Sequence, residues 1–260
     1  MEILIQRDSE RASHLTAALV AKRLAAKPEL VLGCATGRTM ESVYEKLVAL
    51  HREGLDFSQC RTFNLDEYVG LAPQDERSYH HYMLKRLFEQ VNIKLEHTHL
   101  PKGDAPDLAA EAQRYEAEIR KAGGIDLQLL GIGETGHIGF NEPLSSLMSR
   151  TREKALTPTT REQNAEFFGS AEQVPLRALT MGVGTILEAK EIIMVVTGQA
   201  KADILAKAAE GPVTAMISAT ALQLHPNCKV IVDEAAAEKL QGQDYYRWIF
   251  EHEPEWQVYH

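Results

Sequence analysis

The amino-acid sequence predicts an α/β fold, an open and mostly parallel sheet with helices on both faces. Three observations carry this. Apolar runs of strand length recur along the whole chain, most of them are separated by stretches with apolar residues at helical spacing, and no linker, repeat or low-complexity tract breaks the alternation. Strands that alternate with helices are joined by crossovers, and crossovers give a parallel sheet covered on both sides.

The elements follow in order. Residues 3–5 form a short apolar run, and Asp8, Ser9 and Glu10 then open a helix to about residue 26, where short polar side chains can cap free amides. Residues 29–33 read as a second strand and 33–39 as a loop of small residues. Residues 40–50 read as an amphipathic helix with Tyr44, Leu47 and Val48 on one face. Further strands are expected at 61–65, 125–131, 178–181, 192–197 and 229–233. Residues 1–260 are taken as one domain, with the aromatic and acidic segment 245–260 a tail packed on the body or on a neighbouring subunit.

The chain has 260 residues, 44% hydrophobic and 25% charged, enough apolar content for a sizeable core. Its formal net charge of −9 argues against nucleic acid and anionic membrane as partners, because no global basic field attracts a polyanion. A small anion needs only a local positive site. No basic segment leads into a long apolar one at the start, and no apolar run reaches the roughly 18 residues of a membrane span, so a cytoplasmic location is expected. Cys34, Cys60 and Cys228 are too few and too scattered for a disulfide framework or a Cys-rich zinc site, and read as buried thiols.

In open parallel sheets ligands bind beyond the carboxyl ends of strands, and four loops there carry unusual residues. The first, Gly33-Cys-Ala-Thr-Gly-Arg-Thr39, contains Thr36, Gly37, Arg38 and Thr39. It reads either as a tight turn or as backbone amides at a helix start that hold a phosphate. The second places Asp66 and Glu67 together after a strand, either as a solvated turn or as the base that removes a carbon-bound proton. The third, Gly131-Ile-Gly-Glu-Thr-Gly-His-Ile-Gly-Phe-Asn-Glu-Pro143, pairs four glycines with His137 and Glu142, an imidazole and a carboxylate that can orient it. The fourth ends in Lys201, a solvated lysine or a phosphate ligand. Metal-binding pairs and an acyl-transfer serine motif are absent, and the Gly131-x-Gly133-x-x-Gly136 spacing is a weak dinucleotide match. The residues therefore point to cofactor-free acid/base chemistry on a phosphorylated small molecule.

At these loops the chain resembles the glucosamine-6-phosphate deaminase family. The matching text is Ala35-Thr-Gly37, Thr62-Phe-Asn-Leu-Asp-Glu-Tyr-Val-Gly-Leu71, Gly136-His-Ile-Gly-Phe-Asn-Glu-Pro143, Ser149-Arg-Thr151, Met181-Gly-Val-Gly-Thr185, Thr197-Gly198 with Lys201, and Leu222-Gln-Leu-His-Pro226. The resemblance implies a Rossmann-like sheet, no cofactor, and conversion of glucosamine 6-phosphate to fructose 6-phosphate and ammonia. It implies a substrate phosphate held by the first loop and Lys201, with Glu67 also among the substrate-binding residues. Asp66 would be the base between C2 and C1, and His137, oriented by Glu142, would carry the ring-opening proton.

Thr135 stands where the family commonly has Asp or Asn, and offers the imidazole a hydroxyl without a charge. Glu166 stands where the family places a phosphate-binding arginine, while Arg38 replaces a small residue. Either Arg38 supplies the displaced guanidinium, paired with Glu166, or Arg38 is solvated and Glu166 lies on a mobile lid. In regulated relatives N-acetylglucosamine 6-phosphate binds between subunits at positions held here by Ser145, Ser146, Arg152 and Lys154. The resemblance thus implies a homo-oligomer, a hexamer as in those relatives, activated by that ligand. Galactosamine-6-phosphate isomerases, 6-phosphogluconolactonases and non-catalytic sugar-phosphate sensors are the alternatives. The Asn141-Glu-Pro143 segment and the Asp66–Glu67 pair favour a deaminase over a lactonase.

Overall fold

The computed structural model describes residues 1–259. Strand β1 (Glu2–Gln6) leads into α1 (Ser9–Ala26), which Asp8 caps by accepting from the Arg11 amide at 2.7 Å. Then follow β2 (Val31–Cys34), α2 (Arg38–Arg52), β3 (Arg61–Asn64), β4 (Asp66–Tyr68), α3 (Tyr79–Arg86), β5 (Thr98–His99) and α4 (Leu108–Lys121). The second half comprises β6 (Leu127–Leu130), β7 (Arg152–Ala155), α5 (Pro158–Phe168), β8 (Arg177–Thr180), α6 (Val183–Leu187), β9 (Glu191–Val196) and α7 (Ala202–Glu210). It ends with β10 (Cys228–Asp233), α8 (Glu234–Ala237) and α9 (Gln243–His252).

Seven strands form one parallel sheet in the order β1-β10-β9-β6-β2-β3-β5. Every residue of β9 and β10 is buried, as helices on both faces require, and their runs of Ile, Val and Met carry no polar alternation. The expected α/β architecture is present. All three cysteines are buried and free. The carboxyl-terminal segment packs on the body: α9 lies near β1, and buried Trp256 donates from Nε1 to Glu2 at 3.1 Å. Among the described residues no helix is long and apolar enough to cross a membrane.

Two expectations need correction. The strand at 178–181 does not join the parallel sheet. As β8 it is the centre of a separate antiparallel sheet of order β4-β8-β7. The Asp66–Glu67 pair is likewise no turn but the start of β4, with Asp66 opposite Thr180. Both sequence segments are too short to show which partner they choose, since pairing is a nonlocal decision. The chain leaves the large sheet at Leu65, whose amide still bonds to Cys34 while its carbonyl accepts from Met181. The small sheet carries its own apolar cluster, with Tyr68, Phe140, Leu156, Phe168 and Ala178, and this cluster seats α5 beyond the carboxyl edge of the large sheet.

Candidate active site

The strand order changes direction at β2, with β3 and β5 on one side and β6, β9, β10 and β1 on the other. Crossovers on either side of such a point leave a crevice at the carboxyl ends of the strands. Four adjacent strands, β9-β6-β2-β3, deliver the four loops singled out in the sequence to this crevice. It is a cleft of about 350 Å³, lined among others by Thr36, Gly37, Arg38, Thr39, Asp66, Glu134, His137, Glu166 and Lys201.

His137 is set by its own loop. Its Nδ1 lies 2.7 Å from the Thr135 hydroxyl and 3.4 Å from Glu142 Oε2. On the other side of the ring, a Cβ at position 133 would stand only 2.1 Å from Nε2, so glycine alone leaves room for the imidazole there. Glu142 in turn sits at the start of α5, where its Oε1 accepts from the Thr157 amide at 2.9 Å and from the Thr157 hydroxyl at 3.2 Å. Burial works against its charge, but His137, Thr160 and the Thr157 amide outweigh it and hold the carboxyl at about 2. A fixed anion behind Nδ1 favours a proton on that nitrogen and leaves Nε2 to exchange protons in the cleft.

Asp66 has the opposite environment. Burial and the neighbouring Glu67 charge push its carboxyl up to about 8, against a hydrogen bond from Thr180. Gly139, at φ +55°, brings the loop backbone so close that a Cβ there would lie 3.3 Å from Asp66 Oδ2. The two carboxylates of the site are thus driven apart, one permanently ionised and one poised near neutrality, the division that acid/base chemistry at neutral pH uses.

Lys201 follows β9 in a short 3-10 turn, and burial lowers its pKa against the attraction of Glu134. Helix α2 starts beside it, with Gly37 in the cap position and no side chain on its first amides. Arg38 pairs with Glu166 of α5 across the cleft.

Other candidate residues fall elsewhere. Glu67 does not line the cleft: its carboxylate accepts from the amides of Tyr68, Tyr79 and His80 at 2.9 to 3.0 Å, and it faces a second hollow with His80 and His99. Burial raises its own carboxyl to about 7, so it acts on Asp66 where it is ionised, and it holds the start of α3. Ser145, Ser146, Arg152 and Lys154 lie outside the cleft as well. Arg152 and Lys154 share one face of β7, and the Arg152 guanidinium donates to Asn141 Oδ1 at 2.9 Å. Asn141, from the His137 loop, also donates to the carbonyls of Ile138 and Met181. Sequence reading missed Tyr79, Phe140, Gln163 and Asn164 in the cleft wall. They sit on α3, on α5 and in the third loop with no pattern that sets them apart from ordinary helix and core residues.

Comparison with known proteins assigns the chain to a family. The family model for glucosamine-6-phosphate isomerases/6-phosphogluconolactonase matches residues 6–230. A glucosamine-6-phosphate deaminase of Shewanella loihica is 48% identical over 250 residues, 96% of this chain and 93% of that protein. One from Streptomyces coelicolor is 48% identical over 259 residues, covering 99% of both. Among solved structures, a monomeric glucosamine-6-phosphate deaminase superposes with a TM-score of 0.90 at 43% identity, over 92% of this chain and all (100%) of that one. A 6-phosphogluconolactonase from Trypanosoma cruzi shares the fold, with a TM-score of 0.74 at 18% identity. The chain belongs to the glucosamine-6-phosphate isomerase/6-phosphogluconolactonase family.

Proposed function

We propose that this chain deaminates and isomerises glucosamine 6-phosphate to fructose 6-phosphate and ammonia. The observation that carries the reading is the pair of opposed carboxylates, Asp66 held near neutrality and Glu142 held ionised behind His137, at one cleft with Arg38 and Lys201. The high identity to curated deaminases supports the substrate.

In this reading the phosphate rests on the amides of residues 36–39 at the start of α2, with Arg38 and Lys201 as counter-charges. His137 takes the proton from the anomeric hydroxyl through Nε2 and returns it to the ring oxygen, which opens the pyranose. Asp66, once ionised, takes the C2 proton and delivers it to C1, while O1 gains the proton that the C2 ammonium gives up, so that C1 becomes an alcohol and C2 an iminium. Water then adds at C2, and the C2–N bond breaks to release ammonia. An ammonia-release assay with glucosamine 6-phosphate, run beside galactosamine 6-phosphate and 6-phosphogluconolactone, decides the matter. Ammonia from glucosamine 6-phosphate is the expected result, and turnover of the lactone alone would move the chain to the other branch of its family.

A second part of the proposal concerns regulation. The Ser145 hydroxyl is buried without a hydrogen-bond partner, and among the described residues neither Arg152 nor Lys154 has an acidic partner. Burial disfavours the Arg152 charge. Cations without an acidic partner and a spare hydroxyl suit a phosphate, and the Arg152–Asn141 hydrogen bond leads from β7 to the loop of His137. Exposed Leu144 and Met148 flank this site and suit a subunit contact. We propose a homo-oligomer, a hexamer, activated by N-acetylglucosamine 6-phosphate bound at Ser145, Ser146, Arg152 and Lys154. The expected result is a hexamer in sedimentation and a lower KM with the activator. A monomer whose kinetics ignore that compound, in line with the monomeric solved relative, defeats the proposal.

A further inference from the structure

An anion cleft rarely benefits from a carboxylate at its mouth, yet Glu166 projects into this one. It is held there by Arg38, which begins α2 at the open amides. The contact uses one guanidinium nitrogen, Nη2, against one carboxylate oxygen, Oε2. Both side chains are substantially solvated, Arg38 at 73% and Glu166 at 42% exposure. A single-point ion pair between solvated groups is weakly bound and easily exchanged. A phosphate dianion carries more charge than a carboxylate, and its three oxygens match the guanidinium fork.

We infer that Glu166 holds the place of the substrate phosphate on Arg38 and is displaced by it, so that the Arg38–Glu166 pair is an exchangeable latch that a phosphorylated ligand opens. The inference rests on the reading that the cleft takes a sugar phosphate. A neutral sugar offers Arg38 no charge and leaves the latch closed. A dianion trades one partner for a better one and sends the Glu166 carboxylate to water. Because α5 is tied at its other end to Glu142 through Thr157, the latch joins the phosphate end of the cleft to the helix behind His137. Glu166 is therefore a counter-ion that competes with the phosphate for Arg38 and lowers phosphate affinity by the strength of the pair it gives up.

The sign of one substitution separates this from a bracing role, in which Glu166 would merely hold Arg38 in position. Binding of inorganic phosphate is measured by calorimetry, and by competition where turnover is available, at about 0.15 M salt or above, where through-space repulsion is screened. Glu166→Gln is expected to tighten phosphate binding roughly two- to fivefold, the scale of a lost solvated ion pair. Arg38→Ala is expected to weaken binding about tenfold, as for a lost charge-assisted contact, and Glu166→Gln is expected to add little in that background. Weaker or unchanged phosphate binding in Glu166→Gln overturns the latch. So does an equal gain with and without Arg38, which would mean repulsion alone. Because phosphate binding is read directly, absence of ammonia release would reject the substrate assignment while leaving the exchange itself decided by these numbers.

Discussion

Asp66→Asn is expected to lower turnover of glucosamine 6-phosphate by roughly 10³-fold while leaving substrate affinity within a small factor, because the amide keeps the shape and hydrogen-bonding reach of the carboxylate but cannot take a proton. The structure adds a pH dependence. Only the ionised carboxylate acts as base, and burial keeps Asp66 largely protonated below about 8. In the parent protein kcat/KM should therefore rise with pH, close to tenfold per unit, and level off above about 8. The residual activity of the variant should lose that limb. Stability moves the other way. A carboxyl raised in the fold stabilises the protein below its unfolded pKa of about 3.9, and that contribution is lost as pH climbs through about 8. At alkaline pH the parent buries a charge that asparagine lacks, so the variant should melt at the higher temperature there. Near-parental turnover in a folded variant would remove Asp66 from the mechanism.

The second large effect is expected at His137. His137→Gln should depress turnover of the cyclic sugar by roughly 10²- to 10³-fold, because a neutral amide cannot shuttle the proton that opens the ring. An open-chain analogue should be far less affected. The imidazole is held by Thr135 at 2.7 Å and backed by the ionised Glu142, and the ring passes over Gly133 with no space for another Cβ. Glutamine needs less room there, so a change in melting temperature should be small. If the open-chain analogue suffers as much as the cyclic sugar, His137 has another task, and the ring-opening assignment falls.

Local sequence was sufficient for the parts of this protein that local physics decides. The apolar runs of β1, β9 and β10 and the Asp8 cap of α1 could be read directly, because burial on both faces and a capping side chain leave marks on neighbouring residues. The same holds for the loops themselves: glycines, an imidazole and carboxylates after strands are visible wherever the strands end. What lay beyond the sequence was everything set by contacts between distant segments. Nothing near residues 178–181 says that they pair with Asp66–Tyr68 rather than with the large sheet, since three or four residues suit either edge. Nothing in the Asp66–Glu67 dipeptide says that one carboxylate faces the cleft while the other turns to the amides of Tyr79 and His80, because alternation along a strand has meaning only once its partner is known. The pKa values that divide Asp66 from Glu142 arise from desolvation and from donors remote in the chain. The four loops were legible one by one. Only the strand order β9-β6-β2-β3, fixed by packing across the whole sheet, makes them neighbours around one cleft.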